Sequence, residues 1–578
     1  LDGGRYVTAL VREQGRPAGE VLAEALPGLI AGIKFGKSMR WNATNVAFSR
    51  PIRWLVALLG DTLVPLTYAG VSSSRVTRGL RPYGSPELEV TSASAYFDLL
   101  ETQGIVVDRE ARRERVREQA AALAAEVGGR VPEDAGLLDE VTNLIEAPTA
   151  LRGSFEEEYL ELPREVLVTV MRDKQRYFPI EDAQGRLMPY FITIRNGDAE
   201  HIDLVRHGNE QVLKARFADA RYFFTEDTKK KLEDFLPRLS TLTFHEKLGS
   251  MRDKSERLVA LTPLIGGLLG LDAAAIDVAQ QAAHLAKADL ATQMVVEMTS
   301  LQGTMGREYA LLGGYPREIA DAIYEHWLPR GAGDALPASE AGIVLALADR
   351  LDSLIGLFAA GVTPQATADP YGLRRAALGI VQILIDRQLD VDLRRAVEQA
   401  ATVQSVPVSS ENVQQVVEFI SGRLRAWLEE TDAPRDVIAA VLAEQGHNPW
   451  RAVQGVEELS RWVQRPDWTG ILDSFARCVR ITRGETTVYE VDPARLIEPQ
   501  EKALYEAYCQ AASRLTPQDN VDGFLSAFEP LVPAVSAFFD HVLVNAEDEQ
   551  VRRNRLGLLQ GISAMQRGRA DLSHLSGF

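Results

Sequence analysis

Residues 341–384 carry apolar positions with the period of a helix: Ile343, Leu347, Leu351, Leu354 and Phe358 recur three or four residues apart, with Asp349 and Asp352 among the few charges. Such spacing lines one helical face, so a buried helix is expected over the first half of the stretch. The second half opens with Asp369-Pro370, and Arg374 and Arg375 follow one turn on. The carboxylate can accept orphan amides at a helix start, and proline there forfeits no hydrogen bond. Two helices joined across Gly361 and Pro364 are predicted. They would form a packed helical hub rather than a pocket for a small substrate.

Upstream, strand and helix signals mix. Residues 53–59 and 63–69 are apolar runs parted by Gly60-Asp61, and 175–180 and 189–195 bracket Asp182-Ala183-Gln184-Gly185. Both pairs read as strands around a turn, and the Arg-, Glu- and Ala-rich stretch 108–127 reads as a helix. Residues 1–205 are therefore expected to form an α+β domain. Residues 206–390 are almost wholly helical in pattern. Residues 391–470 read as a helical connector, rhythmic over 412–427, punctuated by Asn448-Pro449 and Arg465-Pro466, with Trp450, Trp462 and Trp468 as packing residues. Residues 471–578 read as a bundle, with helices at 471–480, 498–515, 521–539 and 545–562. In the last of these Asn545 is the expected cap, and Asp548/Arg552 and Glu549/Arg553 are spaced for ion pairs. Arg555 falls on the apolar stripe of Val551, Leu558, Leu559 and Ile562. A buried arginine must find an acceptor, so it is either half of an internal ion pair or a guanidinium presented to a phosphate or base.

At 578 residues the chain is too long for one core, and three or four domains are expected. A net charge of −18 excludes a surface coated in positive potential. It leaves room for local patches: Arg109, Arg112, Arg113, Arg115 and Arg117; Lys229 to Lys231; and Arg552, Arg553 and Arg555. Each is either a solvated helix face paired with acids or a phosphate contact. In RFADARYFFTED, Phe217, Tyr222, Phe223 and Phe224 lie beside Arg216 and Arg221, a mixture suited either to stacking on bases or to core packing. Two cysteines, Cys478 and Cys509, argue against a disulfide framework and for a reducing compartment. The longest uncharged run, 258–271, is too short to cross a bilayer.

Chemistry-bearing motifs are sparse. No GxxxxGK phosphate loop, HIGH- and KMSKS-like pair, glycine-rich arginine motif or catalytic triad is legible, and Gly303 and Gly306 in LQGTMGREY read as a bend between helices.

Several blocks carry a resemblance. ADRLDSLIGLFAAG followed by DPYGLRRAALGI resembles the signature of the bacterial glycyl-tRNA synthetase β subunit, of the form built from separate α and β chains. FSRPIRWLVALLGD (48–61), GNEQVLKARFADARYFFTED (208–227), KADLATQMVVEMTSLQGTMGREYA (287–310) and VNAEDEQVRRNRLGLLQGI (544–562) resemble other blocks of that family in the same order. The sequence opens at Leu1 without the family's EIGTEELP-like segment, so an N-terminally truncated chain is expected.

The resemblance implies a mainly α, multidomain protein. Residues 1–205 would be an incomplete tRNA-arm-binding α+β domain, 206–390 a degenerate HD-like helical domain, 391–470 a helical connector, and 471–578 a DALR-like anticodon-binding bundle. It implies a cytoplasmic subunit of glycine–tRNA ligase that binds and positions tRNA(Gly), with two α and two β chains and no membrane. It also implies ATP and magnesium used by the holoenzyme, with no cofactor and no catalytic residue on this chain. Under it, the candidate tRNA contacts are Arg552, Arg553, Arg555, Lys229, Lys230, Arg374 and Arg375. HD phosphohydrolases hold metal through a His, a His-Asp pair and a distant Asp. Here the pair falls at Ala288-Asp289, leaving His284, Asp289, His326 and Asp349 as donors, and a metal-free scaffold is expected because a central ligand is missing. An HD-type metal phosphohydrolase and a non-catalytic helical scaffold stand as alternative functions.

Overall fold

The computed structural model describes residues 15–364 and 369–578, and the chain divides into two units, 1–223 and 224–578. It is mainly helical with a few small sheets. The part of the 361–369 connection at 365–368 lies outside the described residues.

In the first unit an antiparallel sheet is built in the order Pro148–Ser154, Leu187–Asn196, Phe178–Glu181. The last two are the expected hairpin. Asp182 Oδ1 accepts from the amides of Gln184 and Arg186, 2.9 Å each, and Gly185 takes φ +80°, so the turn is closed by its own carboxylate. The helices Arg109–Ala125 and Ala135–Leu144 start at Asp108 and Asp134, whose carboxylates accept from Ala111 N (2.6 Å) and Leu137 N (2.9 Å). They bury Val116, Ala120, Ala124, Leu137 and Val141 against Phe178, Ile180 and Ile192 of the sheet. Gly153 is required there, because a Cβ would stand 2.3 Å from the Phe191 ring.

Around Gly60-Asp61 the expected hairpin is shorter than the apolar runs suggest. Only Leu58–Leu59 and Thr62–Leu63 pair, while Leu55–Val56 leaves to run parallel with Val71–Ser74. The unit boundary falls within the helix Ile202–Asp227.

The second unit is organised around the helix Glu340–Ala359, capped by Ser339 and buried over most of its circumference. Met251–Leu268, Ala273–Leu285, Arg317–Glu325, Leu373–Asp386, Leu393–Thr402 and Ser410–Glu429 all pack on it. A helix enclosed on every side needs apolar residues all round, which is why Ala341 to Ala348 read as one unbroken buried run. The next helix begins at Leu373, not at Pro370. Asp369 still caps it, accepting from Leu373 N (2.8 Å) and Arg374 N (2.9 Å), but Gly372 at φ +66° sets the start.

The bundle at the end of the chain contains Trp468–Thr482, Pro499–Arg514, Val521–Phe528, Val532–His541 and Glu549–Ala564. Val521–His541 is long and apolar enough, by length and composition, to cross a membrane. Here its Phe524, Phe528 and Phe538 are buried, and Phe475 meets Phe528 edge to face at 5.1 Å, so its apolar residues build a core. The final helix starts at Glu549. Asp548, not Asn545, is its cap, accepting from Gln550 N (2.8 Å) and Val551 N (3.2 Å).

Candidate functional site

Two of the positions singled out by the HD resemblance, His326 and Asp349, join a buried ion cluster in the second unit. Asp349 comes from the central helix. Its Oδ2 is 3.0 Å from Lys287 Nζ and its Oδ1 3.0 Å from Lys254 Nζ. Lys254 also reaches Asp352 Oδ2 (2.9 Å) and Ser353 Oγ (2.8 Å). Asp352, 0% exposed, further accepts from Arg257 Nε (2.6 Å) and Gln404 Nε2 (3.0 Å). Lys287 completes its shell with His326 Nε2 at 2.9 Å and the Trp327 ring, 3.7 Å to its centroid.

The protonation pattern follows from burial and neighbours. His326 Nδ1 donates to Ile323 O at 2.6 Å, so Nε2 is left with a lone pair for the ammonium. Burial and the Lys287 charge together hold this imidazole well below its ordinary pKa. Burial raises the Asp349 carboxyl, but Lys254 and Lys287 outweigh it and keep it far below the usual carboxylate range. Burial likewise opposes the Lys254 charge, and Asp349 and Asp352 more than compensate. Lys287 is pushed down to about 8, by burial first, against the pull of Asp349. Three cations face two carboxylates here, and Lys287 is the one that gives way.

Asp289 stands apart from that network. Its Oδ2 accepts from the amides of Gly303 (2.6 Å) and Gly306 (3.1 Å), its Oδ1 is buried without a partner, and burial raises its pKa to about 6. The glycines read as a bend thus also cradle a carboxylate: a Cβ on Gly306 would sit 3.1 Å from Asp289 Oδ2.

These residues do not fit an HD-type metal. His284 is exposed, Ala288 offers no donor, Asp289 Oδ2 is engaged by two amides, and both Asp349 oxygens and His326 Nε2 face ammonium groups. Among the described residues no three His, Cys, Asp or Glu side chains converge in a way that could hold a metal ion. His284 is therefore corrected as a donor: it lies on the outer face of Ala273–Leu285, while Ala279, Ala282, Ala283 and Leu285 take the inner one. Sequence reasoning missed Lys254, Arg257 and Lys287. The one available signal was Lys287 beside the residue that replaces the histidine.

The candidate RNA contacts scatter. Arg553 is exposed, pairs with Glu549 as its spacing predicted, and lies 6.0 Å from the centroid of the Tyr489 ring. Arg552 pairs with Glu485 at 2.8 Å rather than with Asp548, which is occupied as the cap. Arg555 is corrected outright. It is buried, donates to Leu543 O at 2.7 Å and pairs with buried Glu501, which removes it from any RNA-facing set. Lys229 is exposed and paired with Glu226, and Lys230 is exposed over the Phe235 ring at 5.8 Å. Arg374 is half-buried at the start of its helix, and Arg375 is exposed. The Arg109 to Arg117 cluster is mostly engaged internally. Arg109 and Arg113 pair with Asp139 and Arg117 with Glu114, while Arg112 donates to Thr142 O at 2.9 Å. Of the aromatic run, Phe217 is core, 5.0 Å from the Phe155 ring centroid, whereas Tyr222 is 58% exposed.

Residues 1–443 match the family model described as glycyl-tRNA synthetase beta subunit. The chain belongs to that family. Glycine–tRNA ligase beta subunits of Moorella thermoacetica and Desulforudis audaxviator are 41% and 43% identical to it, over 99% and 98% of this chain and 84% and 83% of their own lengths. The Arabidopsis thaliana protein named glycine–tRNA ligase, chloroplastic/mitochondrial 2 is 44% identical over 99% of this chain, which spans 54% of that relative's length. These alignments extend the family correspondence through the C-terminal bundle of this β-subunit family member. They also give the cluster its context: it lies in a ligase subunit family, and the phosphohydrolase alternative is disfavoured by the same arrangement of lysines.

Proposed function

We propose that this chain acts as the β component of glycine–tRNA ligase, gripping tRNA(Gly) so that its acceptor end is charged at an adenylate-forming site on an α partner. The observation that carries the reading is the near-complete correspondence with proteins named glycine–tRNA ligase beta subunit. The physical logic is orientation: binding a large substrate at remote points fixes its reactive hydroxyl near the activated amino acid, and that binding energy lowers the barrier. In this reading ATP and magnesium act on the partner, the assembly holds two α and two β chains, and the enzyme works in the cytoplasm. The C-terminal bundle receives the anticodon region, the helical unit around 340–359 is an HD-like scaffold held by its own ion pairs, and the N-terminal α+β region grips another tRNA arm. Exposed Arg553, Arg375, Lys229 and Lys230 support the reading as phosphate contacts.

The test is glycine-dependent pyrophosphate exchange and tRNA charging by the chain with and without α. Charging only in the presence of α, with salt-sensitive tRNA binding by the β chain, is the expected result. Robust exchange by this chain alone would overturn it.

A further inference from the structure

A cavity of about 560 Å³ lies in the second unit, where the helix starts Asp392–Leu393 and Asn448–Pro449 meet the 516–519 and 567–569 segments. Its volume is that of a small-molecule site. Arg395, Arg451, Arg567 and Arg569 line it. None of the four is among the ion pairs of the described residues, in a protein whose net charge is −18 and whose surface acids are abundant.

Two of these guanidiniums are held in place by neutral carbonyls. Arg451 donates to Pro517 O (3.3 Å) and Asp519 O (3.2 Å), and Arg569 to Thr516 O (2.8 Å) and Asp519 O (3.2 Å). The carboxylates of the lining keep their charge but are held by neutral donors. Asp390 accepts from Asn448 Nδ2 (2.6 Å), Asp392 caps its helix through Arg394 N (2.8 Å), and Asp519 accepts from Thr516 N (2.6 Å). Four guanidiniums against three carboxylates, with Asp519 answering part of the Arg451 and Arg569 charge, leave the lining net positive beside two helix N-termini, a balance that suits an anion.

The second observation is deeper in. Gln445, 2% exposed, lines the cavity, and its Nε2 is fixed by Asn520 Oδ1 (2.5 Å) and Arg569 O (2.6 Å). That fixes Oε1 as the remaining acceptor, and it is buried without a partner, as is His447 Nδ1 of the same lining. A buried orphan acceptor in a polar cavity calls for a donor. An anion with neighbouring hydroxyl donors answers both demands. We propose that this cavity binds the ribose-phosphate unit of a ribonucleotide, the phosphate between the arginines and a sugar hydroxyl on Gln445. The inference is independent of the tRNA-positioning reading, because the unit comes either from an RNA chain or from a free nucleotide.

Calorimetric titration of the full chain with ribose 5-phosphate, inorganic phosphate and ribose tests it. Ribose 5-phosphate should bind at least ten-fold more tightly than either fragment. The charge-reversed double variant Arg395→Glu/Arg567→Glu, both at exposed positions, should weaken it at least ten-fold with an unchanged circular dichroism spectrum and melting temperature. Competition by a short oligoribonucleotide would identify the source as RNA, and its failure to compete would identify a free nucleotide; either result upholds the cavity. Absence of ribose 5-phosphate binding, or equal binding by the variant, would overturn the proposal whether or not tRNA binding elsewhere on the chain survives.

Discussion

The Lys287 ammonium stands 2.9 Å from His326 Nε2 and shares its charge with Asp349 at 3.0 Å. A buried cation is thereby tied to two residues that, in an HD arrangement, would face a metal.

Lys287 titrates near 8 in the folded chain against an ordinary 10.5. Between those values the unfolded chain binds more protons than the folded one, so this residue makes stability rise with pH in that window. Relative to Lys287→Met, the parent protein should gain on the order of 2–3 kcal/mol between about pH 7.5 and 10. Urea midpoints of both proteins across that range measure it, and parallel profiles would contradict it.

Asp289 runs the other way. Its folded pKa of about 6 exceeds the ordinary 3.8, so the folded chain holds the extra proton and stability falls as pH rises through that interval. Asp289→Asn keeps an oxygen for the Gly303 and Gly306 amides and removes the titration. The parent should lose about 2 kcal/mol relative to this variant between pH 4 and 6, read from chemical denaturation at each pH.

Restoring the missing imidazole should not restore a metal. In Ala288→His the Asp349 carboxylate and His326 would still be engaged by Lys254 and Lys287. Elemental analysis after dialysis against manganese or zinc should find no stoichiometric retention. One tightly held ion per chain would show that the lysines yield.

Neighbouring arginines of the final helix should separate binding from stability. Arg553→Glu should weaken tRNA binding several-fold and flatten its salt dependence, with little change in melting temperature, because Arg553 pairs with Glu549 across an exposed surface. Arg555→Met leaves buried Glu501 without its cation and should cost about 3–5 kcal/mol. Filter binding and thermal unfolding of each variant provide the comparison.

Where order arises within a dozen residues, the sequence announces it. The helix Arg109–Ala125 sits inside the predicted 108–127, the turn at Asp182 to Gly185 closes as its residue types demand, and Glu549 pairs with Arg553. Strand Pro148–Ser154 escaped notice. It is an edge strand that opens on proline and carries Arg152 and Gly153, so it lacks the alternation that marks a half-buried strand. Two helix starts differ from the sequence by a few residues: Asp548 rather than Asn545 takes the free amides of the last helix, and at Leu373 the expected Asp369 does take them while left-handed Gly372 sets the first turn. The pairing of the ion cluster is not legible in the sequence, although Asp349, Asp352 and His326 stand out there one by one. Lys287 and Asp349 are 62 residues apart and Arg257 and Asp352 are 95 apart, and no periodicity records which distant charges meet. The arginines of the cavity come from segments as far apart as Arg395 and Arg569, none of them a cluster in the sequence.

A cation carried on a side chain cannot be diluted, chelated or exchanged for a competitor. Because Lys254 and Lys287 belong to the polypeptide, the counter-charge for Asp349 arrives with every copy the ribosome makes, in fixed proportion and at a concentration set by the fold. The helical unit they join is thus insulated from swings in divalent-ion supply.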